Sequence, residues 1–231
     1  RAGVSNFSRN TSITLFTENP NFNLNVNSDL DKSKSVNLRP NTQSVDGLQI
    51  SFAGKFSVSA GMRRSPTAES LRLYGDTQYQ DYRFQYSHQS LLFTAYAQSF
   101  QGFYIYNSNK IDSNIGTNDP RIQNPSLKAQ SQGLNVFYIF EPQNYSLPAA
   151  LSQSVLQNSS GGSLMLGLSI SDLLFSSDED IIPLSEQASY SEDATLRKGH
   201  FSSANATIGY GYTFVFNDKY FISGLLLLGS G

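Results

Sequence analysis

His88-Gln89-Ser90 is the stretch whose residue types could do covalent chemistry. On a strand, a histidine two residues before a serine shares its face, and the imidazole could activate the hydroxyl for attack on a lipid ester. Such a base needs a third polar group to orient it. Here the pair falls at an expected short turn, Leu91-Leu92 follow, and no acid or asparagine recurs at similar strand depth. A solvated turn histidine is the better reading, so no catalytic residue is assigned. His200, after Lys198-Gly199 at the end of a long polar stretch, also reads as solvated.

Asp178-Glu179-Asp180 could attract Ca2+ or bridge to lipopolysaccharide through divalent ions, but it lacks the spaced ligands and glycine of a calcium loop. Arg63-Arg64 could meet lipid phosphates, with a solvated loop as the simpler assignment. Without cysteine the chain has no thiolate ligand, thiol nucleophile or disulfide. A net charge of −2 opposes nucleic-acid binding, which needs a concentrated basic surface. No metal and no cofactor are expected.

The elements that must position these residues are strands. Period-two alternation marks them at about 11–27, 46–53, 56–62, 79–88, 90–106, 132–141, 161–172, 203–216 and 219–229. One side of the alternation carries Leu48, Ile50 and Phe52, then Phe93, then Leu164, Leu166 and Leu168, then Ile208. The other carries Asp81, Arg83 and Gln85, then Thr94, Tyr96 and Gln98, then Asn205 and Thr207. Asp81 and Arg83 are the charges on these polar faces. Charged residues make up 15% of the chain, against about 25% for an ordinary soluble domain. A soluble sandwich turns Lys and Glu to water, whereas a transmembrane barrel turns its apolar side to lipid and encloses small neutral polar groups. The first set is therefore expected to face lipid, and the second to line a lumen as a pore or as a hydrogen-bonded plug of side chains.

Charge collects in long irregular stretches at 28–45, 63–78, 108–131 and 173–202, while short turns fall at 54–55, 88–90 and 217–218. Long loops on one rim and tight turns on the other are an outer-membrane barrel's arrangement. Crossings must alternate between rims, so 142–160 is expected not to span, either filling the lumen or lying on the periplasmic side. The alternative is a strand paired with 161–172. Residues 11–27 change faces across Asn19-Pro20, through a bulge or a tight hairpin. Phe140, Tyr145, Phe214, Phe216 and Tyr220 at one rim, and Phe103, Tyr104 and Tyr106 at the other, suit interfacial aromatic girdles. Nine crossings are odd in number and the pattern is unfinished at the final LLLLGSG. Further C-terminal strands are expected, giving about 12 in all.

The segments YGDTQYQDYRFQYSH, QSFQGFYI, FYIFEPQNYSLPAALSQSVLQNSSGGSLMLG and ATIGYGYTFVFNDKYF resemble the outer-membrane barrels grouped as domain of unknown function 4421. Gly102-Phe103-Tyr104, Ser146 with Ala149-Ala150, Ser160 to Ser163, Gly209-Tyr210 and Pro40-Asn41 carry the likeness. The resemblance implies a barrel in a Gram-negative outer membrane and supplies no catalytic residues.

The expectation is thus a single all-β domain over 1–231, an antiparallel up-and-down transmembrane β-barrel. It would be non-enzymatic, either a channel for small polar solutes or a structural and surface-contact scaffold. Its partners would be outer-membrane lipids and lipopolysaccharide, with the N-terminus and short turns periplasmic and the long loops extracellular. The rivals are an outer-membrane lipid hydrolase using His88 and Ser90, and a soluble β-sandwich binding domain.

Overall fold

The computed structural model describes residues 4–6, 11–53, 55–152, 155–216 and 220–230. Gly54 and the expected Asn217-Asp218 turn lie outside them, as do Gln153 and Ser154. Nine antiparallel strands form one continuous path: β2 (Thr11–Glu18), β5 (Val45–Phe52), β6 (Phe56–Arg63), β7 (Gln78–His88), β8 (Leu91–Ile105), β9 (Gln123–Ile139), β11 (Gly161–Ser176), β12 (Lys198–Phe216) and β13 (Tyr220–Ser230). A hairpin of β3 (Leu24–Asn27) and β4 (Ser35–Arg39) joins the same eleven-stranded sheet through the end of β8. β1 (Val4–Asn6) and β10 (Val155–Gln157) make a separate two-stranded sheet.

Among the described residues the sheet is open and no closed barrel is formed. Every neighbour on the nine-strand path is antiparallel, so the first and ninth strands run the same way and cannot pair antiparallel with each other.

Register lines up the side chains in rows. Val58, Phe84, Ala95, Leu134, Ile170 and Ala204 are successive cross-strand partners, as are Phe56, Tyr86, Phe93, Val136, Leu168 and Ala206. These rows define an outer face that no other element covers: Leu166, Leu168 and Ile208 are 46%, 67% and 54% exposed. The opposite, inner face carries rows such as Ser57, Gln85, Thr94, Asn135, Ser169 and Asn205.

At the rim of the long connections the two faces exchange character. Outward positions become Gln80, Ser99, Gln130 and His200, with Met62 and Leu174 the exposed apolar members of the same row, while inward positions become Tyr79, Phe100, Ala129 and Phe175, all four buried. This exchange explains why the strands outrun their expected ends. β9 begins at Gln123, β11 continues to Ser176 and β12 starts at Lys198. The polar letters that begin β9 and β12 imitate loop composition, whereas β11 runs on through apolar Leu173, Leu174 and Phe175.

The inner apolar patch at that rim is capped. After Glu18 the chain leaves the sheet at Asn19-Pro20, and β3 and β4 fold over the inner face with residues 177–197. Val26, Val36, Leu38, Val45, Phe103, Ile105, Leu127, Ile181 and Ile182 form this core. The face switch in 11–27 is thus neither a bulge nor a tight hairpin at Asn19-Pro20: β2 pairs with β5 and β3 with β4, and the chain leaves the sheet between them. Gly102 lets β8 join in. Its φ of 91° accompanies a break in register between Gln101 and Phe103, which turns Phe103 and Ile105 inward, and a Cβ there would meet the Asp76 carbonyl at 2.2 Å. Phe103 is therefore core rather than part of an aromatic girdle.

A second inner core closes the other rim. Residues 142–160 add no described strand to the large sheet. They form a short helix (Leu147–Ser152) and β10, and Tyr145 and Leu147 pack with Leu92, Ile139 and Met165. Tyr145, fully buried, is likewise not in a girdle. Its ring lies on Gly211, where a Cβ would stand 2.3 Å away. Phe140, Phe214, Phe216, Tyr220 and Tyr106 remain exposed.

Two predictions follow from the capped rim. Leu38→Ala should cost about 2–5 kcal/mol, read as faster hydrogen exchange across Ile181 to Tyr190. The second concerns pH. The Arg197 guanidinium holds Asp180 below its ordinary carboxylate value of 3.8, and the Ser191 hydroxyl and amide do the same for Asp29. Both groups are depressed on folding, so their contribution is complete above that value and disappears as pH falls through the lower folded values. Limited proteolysis within 177–197 should therefore accelerate as pH drops from 5 to 3.

Candidate functional site

Between the two apolar cores the inner face holds a polar belt. All the residues expected to line a lumen lie in it. Asp81, Arg83 and Gln85 on β7 pair with Gln98, Tyr96 and Thr94 on β8, while Asn205 and Thr207 project from β12 on the same face. Tyr96 lies across Gly133, where an added Cβ would meet the ring at 2.6 Å. The residues expected to face lipid are on the other side. Leu48, Phe52, Leu164, Leu166, Leu168 and Ile208 are exposed there, and Ile50 and Phe93 are partly exposed.

The belt's charges form a trio that sequence pattern did not assemble. Arg83 Nη2 lies 2.5 Å from Asp81 Oδ2 and 2.8 Å from Glu18 Oε1. The Asp81 side chain is only 2% exposed, and its carboxylate makes no directed hydrogen bond, so the guanidinium is its compensation. Glu18 was missed because it ends β2, three strands away along the sheet. Its alternation with Ser12, Thr14 and Phe16 was the available signal, since that parity places it inward. Beside the trio a polar hollow is lined by Thr14, Glu18, Gln49, Ser57, Arg83 and Thr94. Among the described residues the Glu18 carboxylate accepts from Arg83, and no hydrogen bond joins it to a hydroxyl of the hollow.

No hydrogen bond joins His88 to Ser90 among the described residues. Ser90 sits in the turn, whose Gln89 has a φ of 46°, and the His88 ring stacks at 6.4 Å on Tyr86. The second histidine is less isolated than its loop-like surroundings suggested. His200 Nε2 lies 3.2 Å from Asp172 Oδ1 and 3.2 Å from Ser202 Oγ, on the outer face near the long-connection rim. His200-Phe201-Ser202 repeats the histidine-x-serine spacing. Yet Ser202 donates to Asp172 Oδ1 at 2.5 Å, and that same oxygen meets the imidazole. The hydroxyl proton is thus directed at the carboxylate and not at the base, contrary to what a relay needs.

Arg83→Met should leave Asp81 as a buried, uncompensated carboxylate. The loss should be about 3 kcal/mol, at the low end for such pairs because Arg83 is 39% exposed. Urea unfolding of the folded protein reads it, and combining the change with Asp81→Leu should recover most of the loss.

Comparison with known sequences bears on the whole chain. No curated protein and no solved structure matches it. A family profile described as domain of unknown function (DUF4421) matches residues 4–231, from β1 through β13. With nearly its full length matched, the chain belongs to that family.

Proposed function

We propose that the nine-strand sheet is the wall of a transmembrane β-barrel in a bacterial outer membrane, working as a non-enzymatic scaffold. The observation that carries this reading is the outer face. Apolar rows run across it from Ile13 and Leu15 on β2 to Leu226 and Leu228 on β13, and no second layer packs on them among the described residues. In water such a surface would be an aggregation liability far larger than a monomer tolerates. In hydrocarbon it needs no cover. A soluble sandwich would require the reverse, with these rows packed against a partner sheet.

Antiparallel closure then needs an odd number of further strands between the free edges of β13 and β2. In this orientation the short turns and N-terminal segment are periplasmic, and the long connections and their cap are extracellular.

Scaffold is favoured over channel by the inner face. The polar belt suits passage of small solutes only if both ends open, and each end is filled by an apolar core, at Leu38 and Ile182 on one side and Tyr145 and Leu147 on the other. A lipid hydrolase draws no support from His88 and Ser90, which are not engaged with each other.

Membranes of cells producing the protein should retain it through high-salt and carbonate washes and release it only to detergent. In planar bilayers the purified protein should show no stable single-channel conductance. Recovery as a detergent-free soluble monomer would sink the membrane reading, and steady ohmic openings would replace scaffold by channel.

A further inference from the structure

We infer that the capped rim carries a binding site for one acidic sugar, its carboxylate held by the Arg39 guanidinium and its ring lying against Tyr74 and Tyr104. The site belongs to the cap and not to the outer face of the sheet, so it goes beyond the membrane reading. Under that reading it is extracellular.

Arg39 is the described arginine that the fold leaves without an acceptor. Each of the others, Arg63, Arg64, Arg72, Arg83, Arg121 and Arg197, donates to a carboxylate or a main-chain carbonyl. Arg39 closes β4 opposite Tyr104 on β8, and its guanidinium lies 3.7 Å over the centre of the Tyr106 ring. Its Nε is buried and makes no hydrogen bond, although buried donors are nearly always partnered. Neither terminal nitrogen has a partner among the described residues, and Arg39 lines an open cup. A guanidinium stacked on one ring, with its outer pair of N–H groups free, is the planar fork that takes a carboxylate with two parallel hydrogen bonds.

The cup says what carries the carboxylate. It holds about 230 Å3, below the roughly 300–1,000 Å3 of pockets for drug-sized ligands, so it suits a single ring. Tyr74, the last residue of α1 (Ala68–Tyr74), lines it beside Tyr104, the two ring centroids 4.8 Å apart. The electron-rich faces of such rings take the polarised C–H bonds on one side of a sugar. Thr42 and Asn21 add a hydroxyl and an amide nitrogen that have no hydrogen-bond partner among the described residues. Asn41 is already fixed. Its Nδ2 donates to the Gly75 carbonyl at 2.8 Å and the Ser70 carbonyl at 3.3 Å, and its Oδ1 accepts from Ser70 Oγ at 3.0 Å. A wall held this way is formed before a ligand arrives, which spares an ordering cost. No carboxylate lines the cup among the described residues, and Arg39 is its one cation. A carboxylate balances that single charge, whereas a phosphate monoester carries about −1.5 to −2.

The test titrates D-glucuronic acid and its methyl ester into the purified protein, in detergent or, should none be needed, in plain buffer. Binding is read by saturation-transfer NMR, with acetate and inorganic phosphate as competitors. The acid should bind about ten-fold tighter than the neutral ester, the effect of one charge-assisted pair. Arg39→Gln should bring the acid down to the level of the ester while ester binding persists, a selective loss that misfolding could not produce. Tyr104→Ala should weaken both ligands alike. Absence of glucuronate binding, equal affinity for acid and ester, or an acid preference that survives Arg39→Gln would overturn the site. So would acetate or phosphate binding as tightly as glucuronate. The membrane reading fails separately, through solubility without detergent.

Discussion

The fold depends on the contrast between what lies outside the sheet and what lies inside it, and on the fact that this contrast reverses along each strand. Over the middle rows the outward side chains are Leu, Ile, Val, Phe and Ala, and the inward ones are Ser, Thr, Asn and Gln. Past the row of Tyr82, Ala97, Gln132, Asp172 and Ser202, the outside becomes hydrophilic and the inside apolar. The membrane proposal would account for this reversal by placing a boundary between two media near that row. The register supports it, because a slip of one residue in any strand would turn its whole set of side chains to the wrong side.

The inner face shows what the reversal demands. Where the outside is polar, the chain must find apolar cover within, and it does so by folding the β3–β4 hairpin and residues 177–197 over Phe100, Leu127 and Phe175. Asn107 ties the hairpin down, accepting from the Asn37 amide and donating to the Ser35 carbonyl, while Lys34 meets Glu186 at 3.1 Å. At the opposite rim Tyr145 and Leu147 serve the same purpose with fewer residues. Between the two cores Asp81, Arg83 and Glu18 carry charge on the inner face, and Arg83 pairs with both carboxylates.

Much of this was legible because a strand's alternation is local. The nine long strands, the short turn at 88–90, and the separation of Leu164, Leu166 and Leu168 from Ser163, Gly167 and Ser169 all follow from side chains pointing alternately to opposite faces. Legibility failed where composition and conformation part. Lys128 and Gln130 look like loop residues, yet they are strand residues, paired with Ser176 and Leu174 on β11 and with Gln101 and Ser99 on β8. Phe103 and Tyr145 have the composition of girdle aromatics, but a bulge at Gly102 and a gap over Gly211 turn them inward.

By itself the sequence determined which side chains share a face, because the two-residue period is a property of the backbone at each position. It also limited the chemistry, since two histidines and no cysteine leave few ways to build a reactive centre. Only the tertiary structure decided which strands meet and what covers each end. Glu18 reaches Arg83, His200 reaches Asp172, and Arg39 stands beside Tyr104 through pairings between residues tens of positions apart. Such pairings are set by register and by the closing of loops of very different lengths. No local pattern encodes them, because they depend on the cooperative packing of the whole sheet.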